Sequence, residues 1–133
     1  MVELIAIVRR KKASSTKDEL ARIGCLGYSV FPVLGRGRQR GLRSAPGSEG
    51  FAFLPKVLFD LVVEERQAQE MIEAIIRANQ TGEFGDGKVF VIEMSQAYRI
   101  STGERDTAIE IESAQATASP ASPDHVTTGA LPP

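Results

Sequence analysis

Gly82, Gly85, Gly87 and Lys88 fall within Thr81-Gly-Glu-Phe-Gly-Asp-Gly-Lys-Val-Phe90, and this is the stretch whose residue types and spacing suit chemistry. Glycine removes Cβ where a backbone turns sharply or where a ligand approaches the main chain. N–H groups left open beside a lysine make a concave anion receptor, so a polyphosphate is the expected ligand. A glycine-rich turn with no ligand is the plain alternative. The spacing Gly82-x-x-x-x-Gly87-Lys88 imitates a Walker phosphate loop but departs from it twice. Val89 stands where Ser or Thr would hold Mg²⁺, and the loop runs from a helical pattern into a strand rather than the reverse.

A second candidate stretch is basic. From Gly35 to about Phe53 there are glycines at 35, 37, 41, 47 and 50, four arginines (Arg36, Arg38, Arg40, Arg43) and no acid before Glu49. So long a loop in a small domain is expected to be functional. Its arginines are not interleaved with aromatics, and the chain's net charge is −1, so nucleic acid is not the expected partner. The single cysteine, Cys25, allows no internal disulfide and fits a reducing, cytoplasmic setting. At the end of a helix it reads as a small, inert hydrophobe. The only histidine, His125, lies in the last stretch, so no Ser-His-Asp or Cys-His pair is expected in the folded part. No apolar run reaches membrane-spanning length, and Met-Val-Glu-Leu opens into a strand without a signal-peptide pattern.

These stretches need elements to hold them. Val2 to Val8 is β-rich and ends in the basic turn Arg9-Arg-Lys-Lys12. Thr16 to Ile23 reads as a helix with a Thr16/Glu19 capping box, an apolar stripe at Leu20 and Ile23, and a stop at Gly24. Tyr28 to Leu34 returns as a strand, which Pro32 assigns to a sheet edge. Val57 to Glu64 alternates, with Val57, Phe59, Leu61 and Val63 on one face and Asp60 and Glu64 on the other. Glu65 to Gln80 is a second helix, Val89 to Met94 a fourth strand, and Tyr98 to Ile100 a short candidate fifth. From Ser113 the composition turns to Ala, Ser, Thr and Pro, which predicts a disordered tail over 113–133. The expected fold is α+β, a ferredoxin-like βαββαβ domain over 1–112 with a long loop at about 36–54 between strands two and three. Such a sheet keeps one face free of helices. Apolar residues on both faces of several strands predict that other subunits cover it.

Three segments then carry a resemblance: Gly35-Arg-Gly-Arg-Gln-Arg-Gly41, Phe53-Leu-Pro-Lys-Val57 and Thr81 to Phe90. In residue type, order and position the chain resembles the PII nitrogen-regulatory signalling family over residues 1 to about 110. Arg99-Ile-Ser-Thr-Gly103 looks like that family's C-terminal loop. Ala6-Ile-Val-Arg-Arg10 and Val33-Leu-Gly-Arg-Gly37 look most like the branch encoded beside nitrogenase, whose members bind the nitrogenase component.

The resemblance implies a homotrimer with ATP or ADP in clefts between subunits. Gly85, Asp86, Gly87 and Lys88 would hold phosphates, helped by Gly35, Gly37, Arg38, Gln39 and Arg99. Ile7, Asp60, Val62 and Phe90 would line the cleft, while Gly27 and Ser29 would reach a neighbour's adenine. It further implies 2-oxoglutarate at the base of the long loop, held by Gly37, Gln39, Lys56 and Arg9, with Gln39 joining the Mg²⁺ shell of bound ATP. Two departures stand out. No tyrosine lies between Gly35 and Lys56 to accept uridylylation, and Ser101 replaces a phosphate-binding arginine, two places along a strand from Arg99.

The implied function is a non-catalytic sensor of ATP, ADP and 2-oxoglutarate whose loop meets a protein target in nitrogen metabolism, whether a transporter, an enzyme or nitrogenase. The rival from another class is a small nucleotide hydrolase in the same cleft, for which no tuned general base is evident.

Overall fold

The computed structural model of the chain describes residues 1–36 and 53–106. The expected tail at 113–133 and most of the long basic loop lie outside the described residues. Those described form β1 (Val2–Arg9), a 3-10 turn (Arg10–Lys12), α1 (Ala13–Arg22), β2 (Ser29–Gly35), β3 (Leu54–Val63), α2 (Glu65–Asn79) and β4 (Gly87–Glu93). The strands make one antiparallel sheet in the order β2-β3-β1-β4, the arrangement of a ferredoxin-like α+β domain.

Strict alternation explains the core. Val2, Leu4, Ala6 and Val8 of β1 and Val57, Phe59, Leu61 and Val63 of β3 all point to the helix side and are buried. Leu20 of α1 and Ala68, Met71 and Ile75 of α2 meet them there. Each large side chain so buried contributes roughly 1.5–3 kcal/mol by leaving water. Tyr28 tilts its ring against Phe59, 5.6 Å between centroids. Pro32 does lie in an edge strand, where the ladder donor that it lacks is not needed.

Gly24 ends α1 as expected. Its φ is +83°, its N–H donates to Ala21 O at 3.0 Å, and Cys25 N–H donates to Leu20 O at 2.9 Å. This is a Schellman close, and it buries Cys25 beside Leu20. Burial pushes the Cys25 thiol pKa up, which keeps it protonated.

The capping box is not formed. α1 starts at Ala13, directly from the 3-10 turn, so Thr16 sits inside the helix and is fully buried. Its Oγ1 donates to Lys12 O (2.8 Å) and accepts from Asn79 Nδ2 (2.9 Å), which fastens α1 to α2. Glu19 instead pairs with Arg22 and with Arg77 of α2, both at 3.0 Å. The Tyr98 segment is not a strand either. It makes an isolated bridge, Tyr98 with Arg105, around a turn that contains Ser101.

Among the described residues no helix covers the other face of the sheet. Register places Ile7 beside Leu58 and Lys88, and Ile5 beside Asp60 and Phe90. Phe31, Phe90 and Ile92 on this face are 43–48% exposed. Glu3 lies among them, and burial, reinforced by Asp60, pushes its carboxyl pKa up. No helix of the described residues is long and apolar enough to cross a membrane.

Candidate functional site

The glycine loop is built around Asp86. Its carboxylate accepts from Thr81 N (2.8 Å), Thr81 Oγ1 (2.6 Å), Gly82 N (3.0 Å) and the guanidinium of Arg9. Glu83 N–H closes back on Thr81 Oγ1 at 3.2 Å. The hydroxyl and N–H of Thr81, with Arg9 and Gly82 adding, hold the Asp86 carboxyl well below the usual carboxylate range. Asp86 is therefore a fixed anion that organises the loop. The first N–H groups of the expected anion nest are already used by it. A phosphate would have to use those further on.

The loop glycines at 82, 85 and 87 all have positive φ. Gly87 is the most constrained. A Cβ there would overlap Ile7 O and press on Val8 Cα at 3.3 Å, so only glycine lets β4 begin against β1.

Two cations clamp the loop from outside. Arg9 and Lys56 face each other across the β1–β3 register and sit on the helix-free side with Lys88. Arg9 Nη2 donates to Phe84 O at 2.6 Å, and Lys56 Nζ donates to Gly85 O at 2.8 Å. Burial lowers the Lys56 pKa, with Arg9 adding to the effect and Asp86 opposing it. Lys88 has no carboxylate partner among the described residues, and its ammonium lies 5.9 Å from the Phe90 ring centre. Three cations beside a glycine turn suit a polyanion, and the adjoining apolar face suits a flat ring.

The expected site residues divide into groups. Arg9, Lys56, Gly85 and Asp86 touch one another, and Gly87, Lys88, Ile7 and Phe90 adjoin them through the β1–β4 register. Gly35 closes the end of β2 opposite Leu54, with Lys56 Cγ only 3.0 Å from where its Cβ would stand. Asp60 and Val62 lie on the same open face, and Asp60 Oδ1 is buried without a hydrogen-bond partner among the described residues. Ser29 is paired with Asp60 in the far edge strand, just after Gly27, whereas the glycine loop leads into the opposite edge. At roughly 4.8 Å per strand step these edges lie about 14 Å apart. Arg99 is tied to Asp106 (3.1 Å), and its N–H donates to Glu104 O at 2.9 Å. Ser101 occupies the intervening turn, so the strand geometry expected for Arg99 and Ser101 does not hold. Gly37, Arg38 and Gln39 lie outside the described residues.

Thr81 was missed as a site residue. Its only sequence signal is a Thr five positions before an Asp in a glycine-rich turn. The clamping role of Arg9 was missed too, because it depends on strand register.

The chain matches the family model described as Nitrogen regulatory protein P-II over residues 1–104. It is 38% identical over 117 residues to Nitrogen fixation nifHD1 region GlnB-like protein 2 of Methanosarcina barkeri, covering 79% of this chain and 95% of the relative. It is 37% identical over 118 residues to Nitrogen fixation nifHD region GlnB-like protein 2 of Methanothermobacter marburgensis, covering 80% and 98%. Nitrogen regulatory protein P-II 1 of Escherichia coli K12 is 39% identical over 110 residues, covering 81% and 98%. A ferredoxin-like sheet, a glycine loop organised by an aspartate and this match over most of the chain agree: the protein belongs to the P-II family of nitrogen regulatory proteins and has a signalling role in nitrogen regulation.

Proposed function

We propose that this P-II protein is a sensor that binds ATP or ADP, together with 2-oxoglutarate, and passes the result to a protein target through the loop at about 36–54. The observation that carries this reading is the cluster of Arg9, Lys56 and Lys88 around a glycine loop whose shape Asp86 holds before any ligand arrives. A receptor shaped in advance loses little entropy on binding. The donors fit a nucleotide. Lys88 and the N–H groups near Gly85 suit the phosphates, and Ile7, Val62 and Phe90 suit the base.

Gly27 and Ser29 complete the pocket only if they come from a second copy, because a single sheet holds them at the opposite edge from the glycine loop. A homotrimer meets that need and also covers the exposed Phe31, Phe90 and Ile92. Mg²⁺ would enter with ATP and be held by the nucleotide and Gln39, supplying charge neutralisation.

2-Oxoglutarate is a dianion, and Arg9 and Lys56 are the cations in reach of the loop base. Both now donate to loop carbonyls, Phe84 O and Gly85 O. An effector carboxylate that took over either donor would change what holds the glycine loop. Effector and nucleotide are thereby linked, and each favours the conformations that the other binds better.

The hydrolase reading is weaker. Asp86 is the carboxylate nearest the expected phosphates, but four donors occupy it and its pKa lies far below that of a useful base. For the target, nitrogenase is favoured over a transporter or another enzyme, since two of the relatives named above carry nitrogen-fixation region names.

Calorimetric titration with ATP, then with 2-oxoglutarate in the presence of Mg-ATP, tests the sensor. Binding of both without phosphate release is expected. Steady phosphate release at enzyme rates supports the hydrolase, and no nucleotide binding overturns both.

A further inference from the structure

Two acids stand together on the helix-free face, toward the end of the sheet away from the glycine loop. Register sets Glu3 opposite Val62 and Asp60 opposite Ile5, so the two are diagonal neighbours across the β1–β3 ladder and within reach of each other. The remaining side chains that face Glu3 from β1 and β4 are Ile5, Phe90 and Ile92, none of which titrates. Just beyond the first register pair, Val2 with Val63, come the Met1 α-amino group and Glu64, and Glu64 pairs with Arg66 at 3.3 Å. No ion pair among the described residues includes Glu3, Asp60 or the Met1 amine. The strand cations of this face, Arg9, Lys56 and Lys88, begin only at the position opposite Ile7, four residues along from Glu3 and about 13 Å away. Salt screens exposed charges at that range.

The pair therefore has to manage its own charge. Two ionised carboxylates can only accept, so a hydrogen bond between them requires that one carry a proton. A proton on Glu3 makes it a donor for Asp60, whose Oδ1 is buried with no partner among the described residues. Burial raises the Glu3 carboxyl pKa, and the charge and hydrogen bond of Asp60 raise it further, in agreement with this arrangement. Covering the face with other copies would strip away the water that now solvates the two acids. A carboxylate pair with no cation is costly to desolvate, whereas a neutral acid bonded to one carboxylate carries half that charge.

We propose that Glu3 and Asp60 hold one proton between them and that this proton is needed for the helix-free face to close against other copies, so that assembly is strengthened by acid and weakened by alkali. The inference rests on the homotrimer proposed above. Its sign follows from linkage: the contribution is complete below the ordinary glutamate value of about 4.3, is lost as pH rises from there through the raised value, and is level beyond it. Asp86 behaves in the opposite way, since its contribution is lost in acid. Ser29, expected to reach a neighbour's adenine, stands opposite Asp60, so loosening this face also loosens the cleft shared between copies.

The test uses the full chain without nucleotide. Urea-induced dissociation is followed by light scattering from about pH 5 to about pH 9 for the wild type and for Glu3→Gln, which keeps the size and a hydrogen-bond donor but cannot ionise. The wild-type midpoint should fall as pH rises. Relative to it, the Glu3→Gln midpoint should stay level and be the higher of the two at the alkaline end, and the comparison cancels Asp86 and the Met1 amine, which both proteins share. Glu3→Lys gives Asp60 a cation in place of a proton and should likewise remove the fall. Carbon-13 NMR of the Glu3 carboxyl in the wild type should show it titrating above the ordinary glutamate value. The inference is overturned if Glu3→Gln has the same pH slope as the wild type, or if Glu3 titrates at or below its ordinary value. A trimer with a level wild-type midpoint overturns this inference alone, whereas a monomer at every pH overturns the homotrimer and the inference with it.

Discussion

Asp86 and Arg9, 77 positions apart, form an ion pair that fastens the glycine loop to the end of β1. The pair makes the loop part of the sheet rather than an appendage to it.

The Asp86 scaffold should be sensitive to acid in a defined direction. Its folded pKa is lowered, so its contribution is complete above the ordinary aspartate value of about 3.9 and is lost as pH falls through that value toward the folded one. Amide exchange at Thr81 and Gly82 should accelerate below that point relative to the core strands. In Asp86→Asn the two amides should exchange quickly already at neutral pH. Equal protection in both proteins would show that the carboxylate does not hold the loop.

Two glycines in one loop should respond differently to alanine. At Gly82 a Cβ meets nothing within 4 Å, so Gly82→Ala should cost only the left-handed backbone strain, about 1–2 kcal/mol. Gly87→Ala adds a collision with the Ile7 carbonyl and should cost several times more, on the order of 4 kcal/mol or above. Urea denaturation of the two variants gives the comparison, and similar midpoints would contradict it.

Thr16→Val removes the hydroxyl that joins the helices, leaving Lys12 O with Ser15 Oγ (3.1 Å) as its side-chain donor and depriving Asn79 Nδ2 of one of its two acceptors. A loss of about 1–3 kcal/mol is expected. A double-mutant cycle with Asn79→Ala should return a coupling of roughly 0.5–3 kcal/mol, whereas independent losses would mean that the two side chains do not act together.

How much of this was legible in sequence follows from where each determinant lies. Alternation at Val57, Phe59, Leu61 and Val63, the stop at Gly24 and the edge position of Pro32 are local signals, and each appears in the fold. The start of α1 was misread because the Thr-x-x-Glu pattern is local while the true partner of Thr16 is Asn79, 63 positions away. The glycine loop was legible as a loop, since its glycines are forced by backbone geometry. Its internal use of Asp86 left only a weak local trace, a Thr five positions before it, and its clamping by Arg9 and Lys56 left none, because those two contacts arise from the β1–β3 register.

Ser101→Arg should raise ATP affinity by about tenfold and leave adenosine binding nearly unchanged, since a charge-assisted contact adds roughly 1.5–3 kcal/mol at the phosphates. The turn that carries Ser101 is held by Arg99 with Asp106 and Glu104, so the new side chain would extend from a fixed base. Unchanged ATP affinity would mean that this turn does not reach the nucleotide.

The central claim is that the nucleotide site is divided between opposite edges of the sheet and completed by a second copy, and co-assembly of two disabled variants tests it most directly. Lys88→Ala removes the phosphate cation at one edge, and Ser29→Trp obstructs the other edge. Each variant alone should lose ATP binding. In trimers refolded from an equal mixture, about a quarter of the clefts would pair an intact loop with an intact edge, and calorimetry should recover wild-type affinity at that fraction of sites. No recovery on mixing, or binding retained by either variant alone, would contradict a site shared between copies.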